Sequence, residues 1–200
     1  KQYESPKSLP VWFVVDTSAS MTLSSTKVSK YQIATQIAGG LALASLDRVS
    51  PVGILGAGSR DLNIKPSLSR ETILQWLHQL RTYDFHEPTR LGQKLLSLNP
   101  SLPERALIFI LSDLHDPDAI PALKLLGHRH DLVVVPLRDP AEDHLPGAGI
   151  IRSREVETGR ETTLTAKKKF TSLQDLTSAL KKASLDHFPI HTDRPFLASL

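Results

Sequence analysis

Asp16, Ser18 and Ser20 stand at alternate positions directly after the apolar run Val11-Trp12-Phe13-Val14-Val15. A buried strand that ends in this way delivers one carboxylate and two hydroxyls to a single point at the edge of a sheet. Such donors suit a hard divalent cation like Mg²⁺, which takes about six oxygens in near-octahedral array at roughly 2.0–2.1 Å. Asp16 supplies charge, and the two serines leave the ion incompletely neutralised. The plainer alternative is a serine-rich turn in which the Asp16 carboxylate caps a backbone amide. Two further oxygen donors join this group by topology. Thr89 lies in the loop before a short amphipathic helix, and Asp113 follows the most hydrophobic run of the chain, Ala106-Leu107-Ile108-Phe109-Ile110-Leu111. In open α/β sheets, ligands bind beyond the carboxyl ends of the strands, where these residues fall.

The elements that must position them are legible in turn. Ser29-Lys30-Tyr31-Gln32 is a capping box that opens a helix running to about Asp47, with Ile33, Ile37, Leu41 and Ala44 at helical spacing. Gly39-Gly40 costs that helix about 1 kcal/mol per glycine, and close packing on the sheet is the expected compensation. Residues 51–57 read as a second buried strand. Across the turn Gly58-Ser59-Arg60-Asp61, residues 62–66 read as its half-exposed hairpin partner. Ser69 caps a helix with Ile73, Trp76, Leu77 and Leu80 on one face, and Leu91, Leu95 and Leu98 mark a shorter one. Asp116-Pro117-Asp118 reads as N-cap, first-position proline and first-turn acid of a helix closed by Gly127. Residues 131–137 form another central strand. Residues 150–156 and 161–164 form an edge hairpin about Glu157-Thr158-Gly159-Arg160. Thr171 and Gln174 cap a last helix that carries Leu173, Leu176, Leu180 and Ala183. Continuous apolar strands alternating with amphipathic helices predict an α/β fold: a doubly wound, mostly parallel central sheet with helices on both faces.

The bulk properties narrow the function. A chain of 200 residues is enough for one domain with a sizeable core, here residues 1–200. The balance of 24 bases against 21 acids, spread along the chain, is no nucleic-acid footprint. There is no cysteine, hence no disulfide framework and no thiolate metal site, which suits a reducing cytoplasm. No apolar run approaches the roughly 18 residues of a membrane span, so membrane association would come only through segments beyond this one. The start at Lys1 without Met, and the end just after Pro195-Phe196-Leu197, read as a piece of a longer protein. His128 and His130 flank Arg129 at a helix end, where basic groups complement the dipole. His115 reads as an exposed loop histidine and Lys167-Lys168-Lys169 as a solvated stretch.

The pattern Asp16-x-Ser18-x-Ser20, with Thr89-Arg90-Leu91-Gly92 and Leu111-Ser112-Asp113 in the later loops, resembles the metal-ion-dependent adhesion site of von Willebrand factor A domains. The resemblance implies that Thr89 binds the ion through its hydroxyl and that Asp113 binds it directly or through a water. The ion would be Mg²⁺, with Mn²⁺ as a substitute. Where many relatives have glycines before the threonine, this chain has His86-Glu87-Pro88. His86 and Glu87 are then expected to contact a partner, the alternative being solvated loop residues. Lys1-Gln2-Tyr3-Glu4-Ser5 leading into the first strand, the Leu111-Ser112-Asp113-Leu114 strand end, Glu157-Thr158-Gly159 and Asp193-x-Pro195-Phe196-Leu197 narrow the likeness. They resemble bacterial von Willebrand A-like proteins of the domain-of-unknown-function family fifty-eight, which are often associated with MoxR-type AAA+ ATPases.

That likeness implies a non-catalytic module that binds a protein partner offering an Asp or Glu to the metal, with a MoxR-type ATPase as the expected partner and an assembly or chaperone-like role. With Asp16 and Asp113 on a divalent ion, the expected net charge of the site is near zero. The competing reading is a Mg²⁺-dependent hydrolase or phosphoryl-transfer enzyme. That chemistry needs a second carboxylate and a lysine for the phosphate. The residues after Asp16 are hydroxyls, and there is no Gly-rich phosphate loop.

Overall fold

Val11–Val15 form the first strand, β1, and all five residues are buried. The computed structural model describes residues 9–82, 86–144, 150–154, 161–165 and 172–195. After β1 the chain runs through α1 (Ala19–Thr22), α2 (Lys30–Asp47), β2 (Val52–Gly56), β3 (Asn63–Ser67), α3 (Arg70–Leu80) and α4 (Leu91–Leu98). It continues through β4 (Leu107–Ser112), α5 (Ala119–Gly127), β5 (Asp131–Arg138) and α6 (Pro140–His144). It ends with β6 (Ile150–Arg154), β7 (Glu161–Thr165), α7 (Leu173–Lys182), β8 (Asp186–His187) and β9 (Ile190–His191).

Among the described residues seven strands form one sheet in the order β3-β2-β1-β4-β5-β8, with β9 also paired to β5. The pairings are parallel except that of β3 with β2. The chain leaves β1 towards β2 on one side and later places β4 on the other, so the winding reverses between β1 and β4. A crevice opens at such a reversal, beyond the carboxyl ends of the strands. The register pairs Val15 with Leu111, so the next residues, Asp16 and Ser112, emerge side by side into that crevice.

Period-two alternation along β1 builds two cores. Val11, Phe13 and Val15 pack with Ile33 and Ile37 of α2 and with Ile73 and Trp76 of α3. Trp12 and Val14 pack with Leu91 and Leu95 of α4, Leu123 of α5 and Leu180 of α7. The sheet therefore lies between two helical layers, as the sequence predicts. The strand interiors can be continuously apolar because neither face meets water.

Several details differ from expectation. Gly39 does not serve sheet contact: a Cβ there would come 3.0 Å from Leu77 Cδ2, so the glycine lets α2 approach α3, while Gly40 faces nothing within 4 Å. Asp118, not Asp116, is the N-cap of α5; Asp116 lies two residues earlier, with Oδ1 accepting from the Asp118 amide at 3.0 Å and Oδ2 from the Gly92 amide. Ser172, not Thr171, caps α7 and accepts from the Asp175 amide. The β6–β7 hairpin is a two-stranded sheet of its own and not an edge of the main one. The stretches 1–8 and 83–85, the turn Glu157-Thr158-Gly159-Arg160, Lys167-Lys168-Lys169, Thr171 and Phe196-Leu197 lie outside the described residues.

His130 is also unlike its expected role as a dipole partner. It is 4% exposed and neither ring nitrogen has a hydrogen-bond partner among the described residues. Burial, with Arg129 beside it, lowers its pKa below the usual 6.5 despite Asp131. A ring that stays neutral in the fold but takes up a proton when unfolded loses stability for the protein as pH falls below 6.5. His130→Leu should therefore raise stability by about 1 kcal/mol at pH 7.5, and by more at pH 5.5. Denaturant melts at the two pH values measure both gains, and an equal gain at both would contradict this account.

Candidate metal centre

Asp16 is fully buried, and each of its carboxylate oxygens has a partner. Oδ1 accepts from the Ser18 amide at 3.0 Å, closing a local turn. Oδ2 accepts from Ser112 Oγ at 2.6 Å, across the β1–β4 crevice. The amide-capping alternative is thus realised, and it orients the carboxylate without consuming every lone pair. Ser18 Oγ and Ser20 Oγ lie 3.0 Å apart. Adjacent corners of a Mg²⁺ octahedron are about 2.9 Å apart when metal–oxygen bonds are roughly 2.0–2.1 Å, so the serine pair fits an octahedral edge. Burial, and then the neighbouring charge of Asp113, push the Asp16 pKa from 3.8 up to about 6. Two carboxylates that close in a dry crevice favour an added cation.

Asp113 follows β4 and is itself fully buried. The turn after it is held by Leu114 at φ 56°, a left-handed conformation that costs a residue with a Cβ about 1 kcal/mol. The Leu114 amide donates to Ser112 Oγ at 2.9 Å. Asp113 Oδ2 accepts from Lys30 Nζ at 2.9 Å and lies 3.3 Å from His115 Nδ1. Burial raises the Asp113 pKa, but His115 and Lys30 outweigh it and hold the carboxyl well below its usual range. Lys30 Nζ, with its side chain fully buried, also bonds Glu142 Oε1 of α6. Arg138 Nη1 lies 3.5 Å from Glu142 Oε2 and 3.3 Å from His115 Nε2.

The rim of this cluster is tied down by three clamps. Glu87 is 3% exposed. Its carboxylate accepts from Thr17 Oγ1 at 2.7 Å and from Arg60 Nε and Nη2 at 2.9 and 2.8 Å, and its carbonyl accepts from the Ala19 amide at 2.8 Å. Burial raises its pKa, but Arg60 and Thr17 outweigh that and hold it below the usual carboxylate range. In the second clamp, Asp116 Oδ2 accepts from the Gly92 amide at 2.9 Å. In the third, Asp139 accepts from the Ser25 amide at 2.7 Å and from the Ser25 hydroxyl.

These contacts decide which sequence-predicted residues come together. Asp16, Ser18 and Ser20 are contiguous, and Asp113 is near enough to shift Asp16. Thr89 is half-buried, in a loop pinned on one side by Glu87 to the Asp16 loop and on the other by Gly92 to the Asp116 loop. His86 is exposed, as a partner contact must be. Glu87 is not such a contact, because its carboxylate is spent inside the protein. His115 is no exposed loop residue either: its side chain is 11% exposed and packed between acids.

Lys30, Arg138 and Glu142 escaped the sequence reading, and they change the expected charge. Among the described residues three carboxylates (Asp16, Asp113 and Glu142) face Lys30 and Arg138, with His115 between Asp113 and Glu142. Two signals pointed to them. Lys30 puts a cation into the first turn of a helix, against the macrodipole, and Arg138-Asp139 ends a buried strand in charge. Among the described residues, Asp113, His115 and Glu142 also offer one ligand atom each within 4.8 Å of one another.

A family model described as "Protein of unknown function DUF58" matches residues 1–182. The chain belongs to the DUF58 family. The crystal structure of the conserved hypothetical protein BatB from Bacteroides thetaiotaomicron is similar in fold, with a TM-score of 0.65 and 14% identity over 95% of this chain and 93% of that one. The von Willebrand A domain of SpRpn10 is similar with a TM-score of 0.51 and 11% identity, over 96% of this chain and 93% of that one. No curated protein sequence matches this chain. At such identities the likeness shows the fold, which is that of a von Willebrand A domain, while the donor set rests on this DUF58 chain's own residues.

Two outcomes follow for this centre. Ionising Asp16 in the fold costs about 3 kcal/mol at pH 7, a shift of about two units at 1.36 kcal/mol each. A carboxyl whose pKa is raised in the fold makes stability fall as pH rises from 3.8 to about 6. Asp16→Asn, which keeps the acceptor for Ser18, should therefore stabilise the protein in EDTA by up to that amount at pH 7 and by little at pH 4. Chemical denaturation at both pH values reads the difference, and a loss of stability at pH 7 would refute it. At Gly58, a Cβ would fall within contact distance of Glu87 Oε1 and Thr17 Oγ1. Gly58→Ala should cost about 3 kcal/mol by breaking that clamp, a loss that a thermal melt reads directly.

Proposed function

We propose that this chain is a metal-dependent protein-binding module in which Asp16, Ser18, Ser20, Thr89 and Asp113 hold a Mg²⁺ ion. The observation that carries the reading is the pair of buried carboxylates, Asp16 and Asp113, beside two serine hydroxyls at octahedral spacing. Asp16 and Asp113 supply charge, and Ser18, Ser20 and Thr89 supply neutral oxygens. When bound, the ion supplies a Lewis acid with a position for one more anionic oxygen. Ser112 and the Ser18 amide hold the Asp16 carboxylate in place, while Glu87, Asp116 and Asp139 hold the surrounding loops.

The partner we infer offers an Asp or Glu side chain. By family resemblance it is a MoxR-type AAA+ ATPase, with exposed His86 at the edge of the contact. Surrounding loops then supply most of the discrimination between partners. The enzyme alternative gains no support from the cluster. Its buried lysine, Lys30, is already shared between Asp113 and Glu142. A hollow of about 480 Å³ on the Arg60 side is lined by Ser59, Arg60, Asp61, Leu62, Gln79, Thr82 and Glu87, and takes in none of the five donors. Among the described residues, no helix is long and apolar enough to cross a membrane.

Calorimetric titration with Mg²⁺ or Mn²⁺ should show one site, lost in Asp16→Ala and weakened in Ser18→Ala and Thr89→Ala. Equal binding by wild type and Asp16→Ala would overturn the assignment. Capture of the partner should need Mg²⁺ and fail in EDTA or with Thr89→Ala. Phosphatase, nuclease or esterase turnover that disappears in Asp16→Ala would favour the enzyme instead.

A further inference from the structure

Lys30 is the group in the cluster that neither the donor set nor the helix explains. Its ammonium is fully buried, so it must be paired to stay charged. It stands in the first turn of α2, where the helix dipole disfavours a cation. Burial lowers its pKa, but Asp113 and Glu142 outweigh this and hold it above the ordinary value. The two acids, and not the helix, account for the charge. Lys30 Nζ donates at 2.9 Å to Asp113 Oδ2 and also to Glu142 Oε1. Among the described residues Asp16 has no such partner: its contacts are a hydroxyl and an amide. Of two buried carboxylates at the crevice, one is already matched by an internal cation.

Resting on the metal reading above, we propose that Lys30 is a built-in counter-cation that competes with the divalent ion for Asp113, and that Glu142 sets how strongly it competes. The ammonium already neutralises a carboxylate from which the ion would draw affinity, so the site binds its metal more weakly than its oxygen donors alone would. Glu142 gives Lys30 a second anchor and draws its charge towards α6. Arg138 in turn neutralises part of Glu142. The same arrangement explains why Asp113, His115 and Glu142, though within 4.8 Å of one another, are not a second metal centre. Their charge is already answered by Lys30 and Arg138. A lysine that only glued α2 to β4 and α6 would make a different prediction, since losing it would loosen Asp113 and weaken the metal.

The test is Mg²⁺ and Mn²⁺ titration by calorimetry on wild type, Lys30→Met and Glu142→Gln, with a thermal melt of each to verify folding. Removing a positive charge a few ångströms from a dication should tighten binding by about tenfold or more. Glu142→Gln should weaken it, because Lys30 then has Asp113 alone. Opposite signs from two members of one salt bridge are what a purely structural role does not produce. Binding that is unchanged or weaker in folded Lys30→Met overturns the proposal while leaving the metal site intact. If Lys30→Met does not fold, Glu142→Gln decides: unchanged or tighter binding overturns the proposal. Binding by Lys30→Met where wild type shows none supports the competition and overturns metal loading of the native protein. No binding by any of the three overturns both.

Discussion

Asp16 and Asp113 close adjacent parallel strands, and both are out of water. Ionised together with nothing between them they repel each other, and neither has solvent to screen it. The rest of the crevice is arranged around that tension. Ser112 and the Ser18 amide donate to Asp16. Lys30 reaches from the next helix to Asp113, and Glu142 and Arg138 extend the charge alternation to the end of β5. The compensation is lopsided, and Asp16 keeps a raised pKa as a result. A site left with unmet negative charge beside neutral oxygens is suited to taking up a cation from outside.

The loops that carry these residues are not free to adapt. Glu87 is the centre of one clamp, and Gly58 is a glycine because a side chain there would displace that carboxylate. Asp116 holds the Gly92 amide with one carboxylate oxygen and the Asp118 amide at the start of α5 with the other, and Asp139 ties the Ser25 loop to the end of β5. Each clamp spends an acid on holding a loop, and two of the three, Glu87 and Asp139, are buried. On the function proposed above, such order is an advantage, since a rim already in its binding geometry loses little entropy on association. The fold, common to proteins that share little sequence with this one, supplies the crevice, and Glu87, Asp116 and Asp139 supply the clamps.

Local chemistry was enough to place most elements and to bring Asp16, Ser18 and Ser20 together. Five apolar residues before Asp16 can only be a buried strand, and Ser29 with Gln32 forms both halves of its capping box as the spacing requires. Ser18 and Ser20 fall beside Asp16 because the chain has no length in which to separate them. Asp113 was legible because the end of an apolar strand in a doubly wound sheet points to one place. Short-range caps were less secure. Asp116 and Ser172 each have neighbours of nearly equal capping strength, so the local pattern left the N-cap position open by one or two residues.

What only the tertiary structure decided is the set of partners that lie far apart along the chain. Lys30 meets Asp113 and Glu142 across 83 and 112 residues, and Arg60 takes Glu87 away from any partner. Gly39 proved to serve a neighbouring helix and not the sheet. The sequence by itself determined the strands, and that Asp16 and Asp113 close two of them at one end of the sheet, because periodicity and capping act over a few residues. It did not determine their charge balance. A buried carboxylate's state depends on whichever cations the packing brings within a few ångströms, and no local pattern records that distance.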